Sequence, residues 1–388
     1  MRKASRLEGV GLSLLRRVVS QAPNDAIDLG LGEPGLAPPS ALCPSIDELG
    51  NDTHGYTPNA GIHELREMVA LYLGAAGGAN AVCMTVGSEE ALFTTLLAFV
   101  DPGDEVLVPD PGYPAYPNVA RLAGGVPVVY RLPAETGFDF SLDEIERQLS
   151  PRTRAIIVNT PSNPTGGIIP REQLQQLAEL ARAKDVLLIS DEVYREIYFD
   201  ERPASLLDVC PEGIVVGGLS KSAGLTGWRL GWAAGSQERI EAITVVHQYA
   251  TTCAPTPSQR LALALLRDLD PSVFEARRRI YRARRDLMST LVKSEMRVPA
   301  VLPGGAYYML AEAAPRGDSL AVALDLLERT EVLTIPGVAF GEEASRYLRL
   351  TFSAEENTIR EGVTRLGAAL SLTSGVPSPA RLRPPLLP

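Results

Sequence analysis

From about residue 60 to 235, short and continuously apolar runs alternate with amphipathic helical stretches. The runs are AVCMTV at 81–86, EVLVP at 105–109, and then VPVVY, AIIVN, VLLIS and GIVVGG. Helical segments such as SEEALFTTLLAFV and REQLQQLAELARAK stand between some of them. A strand that is apolar along its whole length needs cover on both faces. Helical crossovers between parallel strands supply that cover. The pattern predicts an α/β chain whose large unit is a three-layer, mostly parallel sheet. In such sheets ligands sit beyond the carboxyl ends of the strands.

The flanking regions read differently. Residues 1 to about 45 form a short amphipathic helix and then the Gly/Pro-rich loop LGLGEPGLAPPS. From about 258 to 292 the pattern is a long helix or helix pair, and its basic run RRRIYRARRDL reads as a solvated face. GGAYYML, VLTIPG and YLRLTFS give strands of a second, smaller α+β unit. The proline-rich tail SGVPSPARLRPPLLP is expected to lack regular secondary structure.

At 388 residues the chain has room for two or three domains. Its formal charge of −10 argues against nucleic acid and anionic membranes as partners, but says little about a small substrate. No apolar run approaches the roughly 20 residues that span a bilayer. The start, MRKASRLEGVGLSLLRR, lacks the apolar core of a signal peptide. Cys43, Cys83, Cys210 and Cys253 form no CxxC and are expected to be buried or partly buried thiols in a reducing compartment. A cytoplasmic location follows as the expectation. His54, His63 and His247 share no metal-ligand spacing, so neither a metal site nor a histidine-based triad is expected.

Four short motifs carry the chemistry. Lys221, in GGLSKSAGLTGWRLG, follows an apolar strand and sits among small residues. A Schiff-base lysine needs such a desolvated yet accessible amine, although a solvent-touching loop lysine is the simpler account of Lys221 alone. Asp191 closes VLLIS and precedes Tyr194 by three residues. A carboxylate there can hold a protonated ring nitrogen, or merely cap the next helix. Asn163 lies in NTPSNPTGG, where prolines and glycines fix a turn with or without a ligand. Gly87, Ser88 and Glu89 stand where a strand turns into a helix. Free N–H groups there favour a phosphate, but the same residues also make an ordinary capped turn.

The joint appearance of SNPTG, SDEVY, SK…GWRLG and YLRLTFS, in this order, is specific. With them the sequence resembles the fold type I, class I/II aminotransferases, the group that includes aspartate aminotransferase. The resemblance runs from about residue 28 to 370. It implies pyridoxal 5′-phosphate as cofactor and a chain divided into four parts. These are an N-terminal segment (1–45) joining the small domain, a large cofactor-binding domain (46–285), the rest of the small domain (286–372) and a flexible tail (373–388).

The resemblance also implies roles. Lys221 forms the Schiff base and later moves the proton between Cα and the cofactor. Asp191 pairs with the pyridine nitrogen, and Tyr194 and Asn163 bond the phenolic oxygen. Tyr113, in DPGYPAY, stacks on the ring, though a packed loop aromatic would look the same. Gly87, Ser88, the N–H of Glu89, and Arg229 hold the phosphate. Arg349, in YLRLTFS, grips the substrate α-carboxylate, where a strand-surface arginine is the bland alternative. Asn163 and Gly32 border the same carboxylate. Tyr56 reaches the phosphate of a neighbouring subunit, so a homodimer with shared sites is implied.

Two positions depart from the family pattern. Gly218 stands where many relatives carry a Ser or Thr that binds phosphate, a loss of roughly 1–3 kcal/mol if nothing compensates. Glu89 stands where some aspartate-using relatives carry a lysine. It weakens the case for an acidic donor and suits a neutral or cationic one, unless it faces solvent. The implied reaction moves an amino group from an L-amino acid to a 2-oxo acid by a ping-pong cycle. Elimination, C–S cleavage or cyclisation with the same cofactor is the alternative, because the motifs are shared. A cofactor-binding regulator would need a DNA-binding domain, and only about 25 residues precede the resemblance.

Overall fold

The computed structural model describes residues 3–39, 53–315 and 317–372. The proline-rich tail and Cys43 lie outside the described residues. A two-residue strand, β1 (Ile27–Asp28), comes first. Seven strands of one sheet follow: β2 (Val82–Thr85), β3 (Glu105–Asp110), β4 (Val126–Arg131), β5 (Thr153–Asn159), β6 (Leu187–Asp191), β7 (Ile214–Gly217) and β8 (Gly231–Ala234). Their spatial order is β2-β8-β7-β6-β5-β3-β4.

From β7 across to β4 every pairing is parallel. β8 runs antiparallel to both of its neighbours, β2 and β7. The mostly parallel sheet is therefore as the apolar runs predict, with one strand they did not reveal. β8 is only the four residues GWAA, embedded in a motif rich in glycine and too short to stand out by pattern. Val106, Ile157, Ile189 and Val216 point into a core on one face of the sheet, with Leu92 and Leu96 of the helix Ser88–Phe99. Leu107, Ile156, Leu188 and Val215 point into the core on the other face, with Leu174 and Leu177 of the helix Arg171–Ala183. This alternation is what buries both faces of each inner strand.

Downstream, β9 (Ala300–Val301), β10 (Tyr308–Ala311), β12 (Ile335–Pro336) and β13 (Leu348–Thr351) make an antiparallel sheet in the order β12-β13-β10-β9. β11 (Val332–Leu333) pairs in parallel with β1, which ties the N-terminal segment to this region. The smaller α+β unit is thus present at the predicted runs.

The basic stretch corrects the expectation of a solvated face. It lies on the helix Ser272–Leu291, and Arg277, Arg284 and Arg285 are buried there. Arg277 donates to Leu36 O and Ala37 O, Tyr281 to Pro34 O, and Arg284 to Ser353 O. The guanidinium of Arg285 lies 4.6 Å from the ring centre of Phe199. One helical face, at spacings i, i+4 and i+7, laces the loop after β1 to the rest of the molecule. Buried arginine is tolerated because carbonyl oxygens accept its hydrogens.

Candidate active site

The carboxyl ends of β5, β6 and β7 open onto a cavity of about 800 Å³. Lys221 follows β7 and is half-buried in the cavity wall. Its Nζ donates to Gly32 O at 2.8 Å. Gly32 has no room for a side chain, since a β-carbon there would come within 2.2 Å of the Tyr308 hydroxyl. The loop after β1 can reach the lysine only because this residue is glycine.

Asp191 ends β6, directly beside Asn159 at the end of β5. The Asn159 side chain donates to Asp191 O at 2.8 Å and accepts from the N–H of Asn163 at 2.7 Å. One asparagine thus fixes both predicted residues. Asp191 Oδ2 accepts from the Tyr116 hydroxyl at 2.9 Å and Oδ1 from Val193 N–H at 3.2 Å. Burial pushes the Asp191 carboxyl up to about 6, against the opposing pull of these two bonds.

Arg349, on β13, is fully buried and lies between two aromatic rings, 4.2 Å from the centre of Tyr308 and 4.6 Å from that of Phe340. It donates to Asn163 Oδ1 at 2.8 Å and to Gly30 O at 2.6 Å, while its Nε has no partner among the described residues. Burial pulls its pKa down. Among the described residues no carboxylate pairs with it. A buried, unpaired guanidinium beside a cavity is a site prepared for an anion. Tyr194 bonds Tyr308 through the two hydroxyls at 2.8 Å.

On the wall of the same cavity, Ser88 and Glu89 open the helix Ser88–Phe99, and Arg229 lies close by. A β-carbon on Gly87 would meet the Arg229 guanidinium at 2.7 Å, and one on Gly231 would meet Ser88 N at 2.4 Å. These close approaches gather N–H groups, a hydroxyl and a guanidinium into one cup. Arg229 holds a left-handed backbone, φ 50°, a conformation that non-glycine residues keep where the surroundings impose it.

The structure therefore brings Gly32, Ser88, Glu89, Tyr113, Asn163, Asp191, Tyr194, Lys221, Arg229 and Arg349 to one cavity, with Gly87 packed behind Arg229. It does not bring Tyr56, which is 89% exposed and absent from the cavity wall. Sequence reasoning missed Tyr116, Asn159 and Tyr308. Tyr116 carried a usable signal, one helical turn beyond Tyr113 in GYPAY.

A parallel sheet with an amine, a buried carboxylate and an anion cup at its strand ends defines a cofactor-dependent α/β enzyme. Aminotransferase class I and II is the family that matches this chain, over residues 24–366, and the chain belongs to it. The chain is 33% identical over 374 residues to the probable aspartate aminotransferase of Methanocaldococcus jannaschii, covering 93% of this chain and 97% of that one. It is 33% identical to aromatic-amino-acid aminotransferase 2 of Thermococcus litoralis, covering 95% and 98%. A solved structure of a Thermus thermophilus aspartate aminotransferase double mutant superposes with a TM-score of 0.88 at 34% identity, covering 95% of this chain and all of that one.

The protein is a transaminase with the fold type I architecture, and its cofactor is pyridoxal 5′-phosphate. The residues present fit that group. The cup offers cationic and N–H donors of the kind a phosphate accepts. The buried Asp191 faces the same cavity, where a ring cation would offset the burial that raises its pKa.

Proposed function

We propose that Lys221 carries the cofactor and that the enzyme exchanges amino groups by a ping-pong cycle, preferring a neutral or cationic donor to an acidic one. The observation that carries this reading is that the amine of Lys221 and the carboxylate-free fork of Arg349 open on the same cavity. A substrate held by its α-carboxylate at Arg349 has its amino group and Cα directed toward Lys221.

Pyridoxal phosphate, when bound, supplies a sink for the electron pair left on Cα. Asp191 would keep its ring nitrogen protonated, with Tyr116 and Val193 N–H steadying the carboxylate. Asn163 and Tyr194 would bond the phenolic oxygen, and Tyr113 would stack on the ring. Gly87, Ser88, the N–H of Glu89, and Arg229 would hold the phosphate. Of the two nearby serines, Ser220 lines the cavity and Ser222 is buried away from it, which supports Ser220 as the hydroxyl that would stand in for the one missing at 218. Once free, the Lys221 amine rests on Gly32 O, inside the site, and moves the Cα proton.

The donor preference rests on Glu89, whose side chain borders the cavity with no cation paired to it among the described residues. A homodimer with shared sites is supported by Tyr56, whose exposure leaves it free to reach a partner's cup. The boundary at residue 45 lies outside the described residues; the β1–β11 pairing supports joining the N-terminal segment to the small domain, and the boundary at 285 falls within the helix Ser272–Leu291. A cytoplasmic location is supported by the free thiols Cys83, Cys210 and Cys253. No helix among the described residues is long and apolar enough to cross a membrane.

The test is a visible absorption titration of the loaded protein with a panel of L-amino acids. Loss of the lysine-bound cofactor band with neutral or cationic donors, and its return on adding a 2-oxo acid, is expected. Ammonia release without an acceptor would overturn the ping-pong transfer. Response to acidic donors alone would overturn the donor preference.

A further inference from the structure

A ping-pong transaminase must admit two substrates in turn to one pocket, and this pocket carries two charges of opposite sign. Glu89 stands on one wall, at the start of the helix Ser88–Phe99. Arg16 stands on the wall formed by the N-terminal segment, in the helix Leu14–Val19. Both side chains are exposed, and neither forms an ion pair or a side-chain hydrogen bond among the described residues. They are not paired with each other. Burial is the main reason the Tyr113 phenol is pushed up, and of the charges near it Glu89 adds to the shift while Arg16 opposes it weakly, so both lie near the ring on which the cofactor is expected to stack.

Arg16 is not on a loose arm. Val18 of its helix is fully buried against Leu333, Ile335 and Phe340, and Leu14 and Leu15 pack on the same cluster. Phe340 is also one of the two rings that sandwich Arg349. The helix carrying Arg16 is thus anchored to the wall that positions the α-carboxylate fork. A substrate gripped at Arg349 would present its far end at a fixed relation to Arg16.

The geometry points to Arg16 as the specificity residue for a dicarboxylic 2-oxo acid acceptor, whose far carboxylate it pairs, while Glu89 meets the side chain of the donor. This rests on the transamination reading above. The two half-reactions divide the pocket: the donor side chain lies toward Glu89 and the acceptor carboxylate toward Arg16. The dicarboxylic amino acid formed leaves from the Arg16 pose, and it enters as a donor only when that half-reaction runs backward. A guanidinium suits this task because its planar fork matches a carboxylate and stays charged at any working pH.

The experiment uses the loaded enzyme and its Arg16→Gln and Arg16→Lys variants, with one neutral donor and either 2-oxoglutarate or pyruvate as acceptor. In Arg16→Gln, kcat/KM for 2-oxoglutarate should fall roughly three- to tenfold, the size of one solvent-exposed ion pair with a carboxylate. Pyruvate should be unaffected, and Arg16→Lys should recover part of the loss. Calorimetric binding of glutarate, which cannot react, should weaken in parallel in Arg16→Gln. Equal loss with both acceptors, or none with either, overturns the assignment to Arg16. Wild-type enzyme that passes amino groups to pyruvate but not to 2-oxoglutarate overturns the inference and leaves transamination standing. Wild-type enzyme that passes them to neither overturns both.

Discussion

Tyr116 donates its phenolic hydrogen to Asp191 Oδ2 at 2.9 Å, with both side chains buried at the carboxyl end of β6. The bond opposes the burial that drives the carboxyl up to about 6. The phenol is affected in turn, its pKa pushed well above the usual value by burial first and by the nearby Asp191 charge second. Asp191 is thereby held close to the point where it could lose its charge, and Tyr116 keeps it on the ionised side at neutral pH.

Tyr116→Phe should therefore weaken cofactor binding by about tenfold at pH 7, the scale of one hydrogen bond to a charged group. Titration of the cofactor-free variant with pyridoxal phosphate, followed by absorbance, measures this. The loss should shrink as pH rises, because the unassisted carboxyl ionises later but does ionise. A constant loss across pH 6 to 8 would place the role of Tyr116 elsewhere.

The sign of the wild-type pH dependence follows from the same shift. Asp191 has its ordinary value of 3.8 when unfolded and about 6 in the cofactor-free fold. Its pKa is raised on folding, so its contribution to stability is full below about 4 and is lost as pH rises through about 6. A bound ring cation removes that penalty. The gain in Tm on adding cofactor should grow from pH 5 to pH 7.5, which differential scanning fluorimetry at several pH values would show.

Gly218 offers a structural account of one departure from the family. A β-carbon there would meet Leu230 O at 2.9 Å, a backbone atom of the segment that enters β8. Restoring the usual hydroxyl with Gly218→Ser should thus lower stability by about 1–3 kcal/mol, as other overpacked sites do. It should also fail to tighten cofactor binding. Chemical denaturation and a cofactor titration on the same variant check the two halves separately.

The strand-end residues were legible in the sequence because each stands within a few residues of an apolar run that announces itself. Asp191 closes one such run, Asn163 follows another, and Lys221 follows a third. Their partners were not legible. Tyr116 meets Asp191 across 75 positions, and Tyr308 meets Tyr194 across 114. Arg277 meets its carbonyl at Ala37 across 240, so its burial could not be told from a solvated basic face. Nothing local distinguishes such a tyrosine or arginine from any other. The cavity wall at Arg16 was hidden for the same reason, since the helix that carries it docks on residues 327 to 340.

Arg349 is buried, and among the described residues no carboxylate pairs with it and its Nε has no partner. Arg349→Lys keeps the charge but removes the planar fork and the stacking between Tyr308 and Phe340. Amino-donor kcat/KM should fall on the order of 100-fold or more, with the loss appearing in the half-reaction for every donor alike. Cofactor should still bind, because none of the residues proposed for the phosphate touches Arg349, while the absorbance band can shift through Asn163, to which Arg349 donates. Loss confined to one class of donor would mean that Arg349 reads side chains rather than the common carboxylate.

Glu89 makes the opposite kind of claim, one about side chains alone. In the proposed role its backbone N–H, not its side chain, holds the phosphate, so Glu89→Gln should leave cofactor binding intact. Its carboxylate, bordering the cavity with no cation paired to it among the described residues, repels a second carboxylate and favours a cation. At an exposed site the interaction is modest, so the change should be several-fold rather than a hundredfold. Stopped-flow half-reactions should show acidic donors gaining by roughly three- to tenfold in Glu89→Gln, neutral donors unchanged and cationic donors losing. The differences should shrink at 0.5 M salt, since charges open to solvent are screened. If acidic donors gain nothing, Glu89 faces solvent, and the donor preference has to come from another part of the pocket wall.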